Sequence, residues 1–144
     1  MVPFVGEYKH SIDEKGRLII PARFRSSFGD KIFLSKGFEP CLLVLTPEEI
    51  EKIQHKIKEN SLTNKMVRKF SRAFFSGMVE ASFDSQGRIL IPENLRRYAG
   101  ISREAMVVGT GFYVEIWELD SWNKGTTLLD EERFDIADFL EGVE

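Results

Sequence analysis

The stretch Ser11-Ile12-Asp13-Glu14-Lys15-Gly16-Arg17-Leu18-Ile19-Ile20-Pro21 is answered 71 residues later by Ser82-Phe83-Asp84-Ser85-Gln86-Gly87-Arg88-Ile89-Leu90-Ile91-Pro92. Aligned without a gap, residues 4–25 and 75–96 put Phe4 and Gly6 on Phe75 and Gly77. Further along, Ser11, Asp13, Gly16, Arg17, Ile20, Pro21 and Arg25 meet Ser82, Asp84, Gly87, Arg88, Ile91, Pro92 and Arg96. Seven identities in the fifteen positions from 11 to 25 exceed coincidence, so the chain is a tandem duplication and reads as two copies of one unit.

Each copy has the same physical logic. In residues 6–12 the side chains alternate, Tyr8, His10 and Ile12 against Glu7, Lys9 and Ser11, which is the period of a half-buried strand. In the Asp-x-x-Gly-Arg that follows, the carboxylate can accept from backbone N–H groups ahead of it and the Gly can take a positive φ, the chemistry of a tight turn. Leu18-Ile19-Ile20 and Ile89-Leu90-Ile91 then read as short apolar strands, so the motif lies at a hairpin tip. Pro21 and Pro92 stand where short helices begin, and Gly29 and Gly100 stand where left-handed caps close them. Two more strands complete each copy, residues 31–35 and 42–45 in the first, 105–108 and 113–117 in the second.

The connection between the copies is helical. Thr46-Pro47-Glu48-Glu49 is a capping box, followed by Ile50, Ile53 and Ile57 on one face. A second helix over residues 64–75 places Val67, Phe70 and Phe74 on one side and Lys65, Arg68, Lys69 and Arg72 on the other, a basic face that solvation alone explains. After copy two, residues 120–143 carry Trp122, Phe134, Ile136, Phe139 and Leu140 for packing, with Gly125-Thr126-Thr127 expected to interrupt the helix. The expected fold is α+β, mainly β: a first unit over residues 5–50, a helical bridge over 51–75, a second unit over 76–121 and an acidic helical tail over 122–144.

Composition narrows the function classes. With 42% hydrophobic and 30% charged residues the chain reads as globular, no apolar run reaches the roughly 20 residues of a membrane span, and the first residues lack a secretory pattern; a cytoplasmic location is expected. The single Cys41 lies in the apolar run Cys41-Leu42-Leu43-Val44-Leu45 and reads as a buried thiol. With only His10 and His55 present, neither a Cys-His nucleophile nor a zinc pattern is readable, and no cofactor is expected. Asp13 and Asp84 could be imagined as a carboxylate pair, yet each belongs to a solvent-facing tip, so an enzyme is not expected. The net charge is −3, but the seven acids and one base of residues 130–144 account for −6, leaving +3 on residues 1–129. A basic body with an acidic tail is compatible with a polyanionic partner, and equally with a merely solvated chain end.

Recurrence is what gives the tips functional weight. A turn needs Asp or Gly, but nothing in it needs Arg17 and Arg88, or Arg25 and Arg96, at matching places. Guanidinium offers five donors in a planar fork suited to phosphates and guanine edges. The candidate DNA-binding set is therefore Arg17, Arg88, Asp13, Asp84, Lys15, Gln86, Arg25 and Arg96, with Asp13 and Asp84 stiffening the turns and orienting the arginines. A non-enzymatic structural or protein-interaction module that uses the acidic tail is the alternative.

Residues 11–21, preceded by Phe4-Val5-Gly6-Glu7-Tyr8 and echoed over 83–92, resemble the MraZ family along essentially the whole chain. An Asp and an Arg four apart in each copy meet that family's pattern, although Gln86 stands where copy one has Lys15. The resemblance implies a fold related to the AbrB swapped-hairpin barrel, with both interlocking units supplied by one chain as a pseudo-two-fold body. It further implies a ring-shaped homo-oligomer, and binding to promoter repeats of the cell division and cell wall gene cluster as a nucleoid-associated transcriptional regulator.

Overall fold

The structure is a computed structural model that describes residues 3–132 and 140–141. The chain is α+β. Copy one runs β1 (Glu7–Ser11), β2 (Arg17–Ile19), α1 (Ala22–Arg25), β3 (Ile32–Lys36) and β4 (Leu42–Leu45). The helices α2 (Pro47–Lys58) and α3 (Lys65–Ser76) follow. Copy two runs β5 (Val79–Ala81), β6 (Arg88–Leu90), α4 (Glu93–Ala99), β7 (Glu104–Gly109) and β8 (Val114–Glu118), and α5 (Leu119–Glu132) comes after it.

Six strands form one sheet in the order β1-β7-β8-β4-β3-β5, all neighbours antiparallel. Exchanging the copies leaves that order unchanged. Each copy contributes its last two strands as a hairpin, and its first strand pairs with the other copy's hairpin: Tyr8 lies opposite Val107, and Phe33 opposite Glu80. The ladder is open, with β1 and β5 at its edges, so the closed barrel expected from the resemblance is not formed by its hydrogen bonds. The strands β2 and β6 are three residues each and pair with one another as a separate ribbon. Just beyond the ribbon, the Ile20 N–H donates to the Gly87 carbonyl at 3.0 Å and the Ile91 N–H to the Gly16 carbonyl at 2.9 Å.

The central strand explains the unbroken apolar run of copy one. Leu42 and Val44 face a core with Phe4, Leu18, Ile20, Phe24, Ile89, Ile91, Leu95, Val107 and Ile116, drawn from both copies. Leu43 and Leu45 face a second core with Cys41, Ile50 and Phe74, covered by α2 and α3. A strand buried on both faces has no polar alternation to show. The first core lies between the sheet and the layer made by the β2–β6 ribbon, α1 and α4, so the ribbon and α3 belong to opposite faces of the sheet.

The bridge helices follow their sequence signals. Thr46 Oγ1 accepts from the Glu49 N–H at 3.1 Å, and the Asn64 side chain accepts from the Met66 N–H at 2.9 Å, satisfying N–H groups that have no partner within the helix. Two local expectations differ. Gly100 closes α4 with φ +69°, whereas α1 is a single turn ending at Arg25, capped by Ser26 with φ −66°, and Gly29 plays no left-handed part. The chain leaves α1 through shorter i→i−3 bonds, Ser27 N–H to Phe24 and Phe28 N–H to Arg25. Helix α5 passes through Gly125-Thr126-Thr127 without a break, since one glycine costs a helix only about 1 kcal/mol. The expected tail helix beyond it, with Phe134, Ile136 and Phe139, lies outside the described residues apart from positions 140–141, where Leu140 is exposed. Phe4 bridges Gly111, while its counterpart Phe75 lies in the last turn of α3, within the helix expected there.

Candidate nucleic-acid interface

The two tips are built identically. Asp13 Oδ1 accepts from the Lys15 and Arg17 N–H groups at 3.0 and 2.8 Å, and Oδ2 accepts from Arg17 Nε at 2.6 Å. Asp84 Oδ1 accepts from the Gln86 and Arg88 N–H groups at 2.9 Å each, and Oδ2 from Arg88 Nε at 2.8 Å. Gly16 and Gly87 turn the chain with φ +86° and +76°. Both carboxyls are held below their usual range, first by the backbone N–H of Arg17 or Arg88, with the guanidinium adding to it. Since Nε engages the aspartate, each guanidinium is fixed in orientation.

The ribbon brings the two tips together. Leu18 lies opposite Ile89 at its centre, and both are fully buried. Arg17 is opposite Leu90 and Ile19 opposite Arg88, so these four side chains share the outer face. Arg88 Nη1 lies 3.7 Å from Asp13 Oδ2, an ion pair between the tips. Lys15 and Gln86 are exposed at the turns.

Arg25 and Arg96 have a different place. The Arg25 guanidinium donates to the Ile20 carbonyl, and Arg96 Nε donates to the Ile91 carbonyl at 3.0 Å. Each guanidinium also lies over the turn glycine of the other copy: a Cβ on Gly16 would fall 2.9 Å from Arg96, and one on Gly87 would fall on Arg25. The recurrent arginines after the prolines thus lock one copy's helix start to the other copy's tip. The basic residues Lys65, Arg68, Lys69 and Arg72 are exposed on α3, across the sheet from the ribbon.

Ile19 and Leu90 went unnoticed in the sequence, where they read as parts of apolar strands. They are 38% and 57% exposed. The signal was parity: in a three-residue strand the ends share one face, so a residue two places from a tip arginine points the same way.

One other polar cluster exists among the described residues. Ligand-type atoms of Glu39, Cys41 and Glu115 lie within 4.8 Å of one another. Burial first, then the charges of Glu115 and Glu39, pushes the Cys41 thiol up to about 12, so it stays protonated at neutral pH. Glu115 is raised by its own burial and accepts from Trp117 Nε1 at 2.9 Å. No helix among the described residues is long and apolar enough to cross a membrane.

Two strand-turn-strand-helix copies sharing one sheet, with paired aspartate-arginine tips on a common ribbon, define a duplicated α+β protein whose recurrent surface is that ribbon. The chain belongs to the MraZ family: the family model, described as "MraZ protein, putative antitoxin-like", matches residues 4–73 and again 74–138.

Proposed function

We propose that the protein is a sequence-specific, double-stranded DNA-binding transcriptional regulator that meets the duplex with the outer face of the β2–β6 ribbon. Membership in the MraZ family supports the regulator role. The observation that carries the DNA reading is the convergence of Arg17 and Arg88, each steered by its aspartate, on one exposed face. The major groove admits a two-stranded ribbon, and arginine suits both phosphates and guanine edges. Lys15 and Gln86 assist at the tips, whereas Arg25 and Arg96 serve the site by bracing the opposite turns.

The units act as an internal swapped-hairpin pair of pseudo-two-fold symmetry, spanning residues 5–50 and 76–121, and the bodies assemble into a ring that repeats weak contacts along promoter repeats. The targets we assign are the cell division and cell wall genes, with the protein at the nucleoid. In gel-shift titrations against duplex enriched from a random library, Arg17→Ala and Arg88→Ala each weaken binding by about tenfold or more, and wild-type affinity falls steeply with salt. Unchanged binding in both variants would overturn the reading. A second reading, a protein-interaction module that uses the acidic tail, rests on the −6 charge of residues 130–144; exposed Phe38, stacked on Phe70 and Phe74 at 6.3 Å each, is an apolar contact point of its own. Failure to retain any duplex at low salt selects that role instead.

A further inference from the structure

An exposed apolar side chain is ordinary on a protein surface. Ile19 and Leu90 are not scattered: they hold corresponding places in the two copies, and each stands directly across the ribbon from an arginine of the other copy. The ribbon interior is satisfied by Leu18 and Ile89, fully buried between them, so nothing in the core requires apolar residues on the outer face. A polar residue there would cost the fold little.

The chemistry facing such a ribbon in a major groove is polar with one exception. Base edges present N7, O6, O4 and exocyclic amines, and the apolar feature among them is the C5 methyl of thymine. We propose that Ile19 and Leu90 are specificity-determining residues that read thymine methyl groups, while the arginines beside them hold the phosphates and guanine edges. The inference rests on the DNA-binding reading above and adds which feature of the bases is sensed. The ribbon's dimensions fit the task. Ile19 and Leu90 are diagonal neighbours, a separation of about 7–8 Å in an antiparallel pair. That is about two base-pair steps of 3.4 Å. Charge complementarity favours DNA over an uncharged partner, since both apolar residues are flanked by guanidinium groups and residues 1–129 carry a net +3.

The test alters the DNA first and the protein second. In the duplex selected by the full-length chain, each thymine is replaced in turn by deoxyuridine, which keeps the pairing face and removes the methyl. Wild-type binding should weaken about fourfold at one or two positions, the worth of one buried methyl group. That response should disappear at one position in Ile19→Ser and at the other in Leu90→Ser, with circular dichroism confirming that the variants fold. Indifference of the wild type to every replacement overturns the proposal, as does a methyl response that survives in both variants. A change of mass by light scattering in the serine variants, without methyl dependence, also overturns it and makes the face an interface between copies. These outcomes presuppose duplex binding that depends on Arg17 and Arg88; if that dependence is absent, the DNA reading itself fails and this inference falls with it.

Discussion

The carboxylate of Asp13 takes three hydrogen bonds, two from backbone N–H groups and one from the Arg17 guanidinium, and Asp84 takes the matching three. A carboxyl whose folded pKa is lowered contributes stability that is present above its unfolded value and lost as pH falls through the folded one. Both tips should therefore be unchanged from pH 7 to 5 and loosen only below about pH 4, the unperturbed aspartate value. Titration of the two carboxyl carbons by NMR checks this, with both midpoints expected below the ordinary one. Because the backbone N–H of residue 17 is the largest cause for Asp13, its midpoint should stay lowered in Arg17→Ala. An ordinary midpoint in that variant would mean that the side chain, not the turn, organises the tip. The tips were legible because a turn is local: its donors and its acceptor lie within five residues. The role of Arg25 and Arg96 was not, since the glycines they cover, Gly87 and Gly16, lie 62 and 80 residues away in the chain and nothing in the repeat says which tip an arginine will meet.

Elements differ in how much of their environment they declare. Helices α2 and α3 were readable because caps and the 3.6-residue period are written along one segment, and Thr46 and Asn64 do cap them. The ribbon was not, because a strand of three residues is too short to show alternation, and its partner is the matching strand of the other copy. This placement separates two basic surfaces that composition leaves equivalent. Helix α3 covers the sheet face away from the ribbon, so on the proposed DNA-binding reading its cations would contribute only long-range attraction that salt screens within about 10 Å. Replacing Lys65 and Lys69 together by Ala is expected to change duplex affinity less than about threefold at 0.15 M salt, against about tenfold for Arg17→Ala. Fluorescence anisotropy on the same duplex makes the comparison. Equal losses would move the interface to α3.

At the scale of the whole molecule, the duplication gave the number and order of units, whereas their interleaving depends on contacts between segments distant in sequence. β1 finds its partner in β7, β5 in β3, and β2 in β6. The first core draws Leu18, Phe24 and Leu34 from one copy and Ile89, Leu95 and Val107 from the other. Burying one such side chain stabilises by roughly 1.5–3 kcal/mol, so a half chain loses far more than the 5–15 kcal/mol a typical domain has in hand. Residues 1–77 alone should show no cooperative thermal transition as a monomer, and mixing them with residues 78–144 should restore one. Circular dichroism with analytical ultracentrifugation decides it, and a monomeric half that melts cooperatively would contradict the shared core.

The two tips are alike in geometry but not in chemistry, with Lys15 at one and Gln86 at the other. Two identical subunits related by symmetry present the same group twice and so demand a palindrome. Joined in one chain, the halves have been free to diverge, and the ribbon they form has a head and a tail. On the proposed DNA-binding reading, such a ribbon carries a sense of direction, and can distinguish a site from the same site turned around.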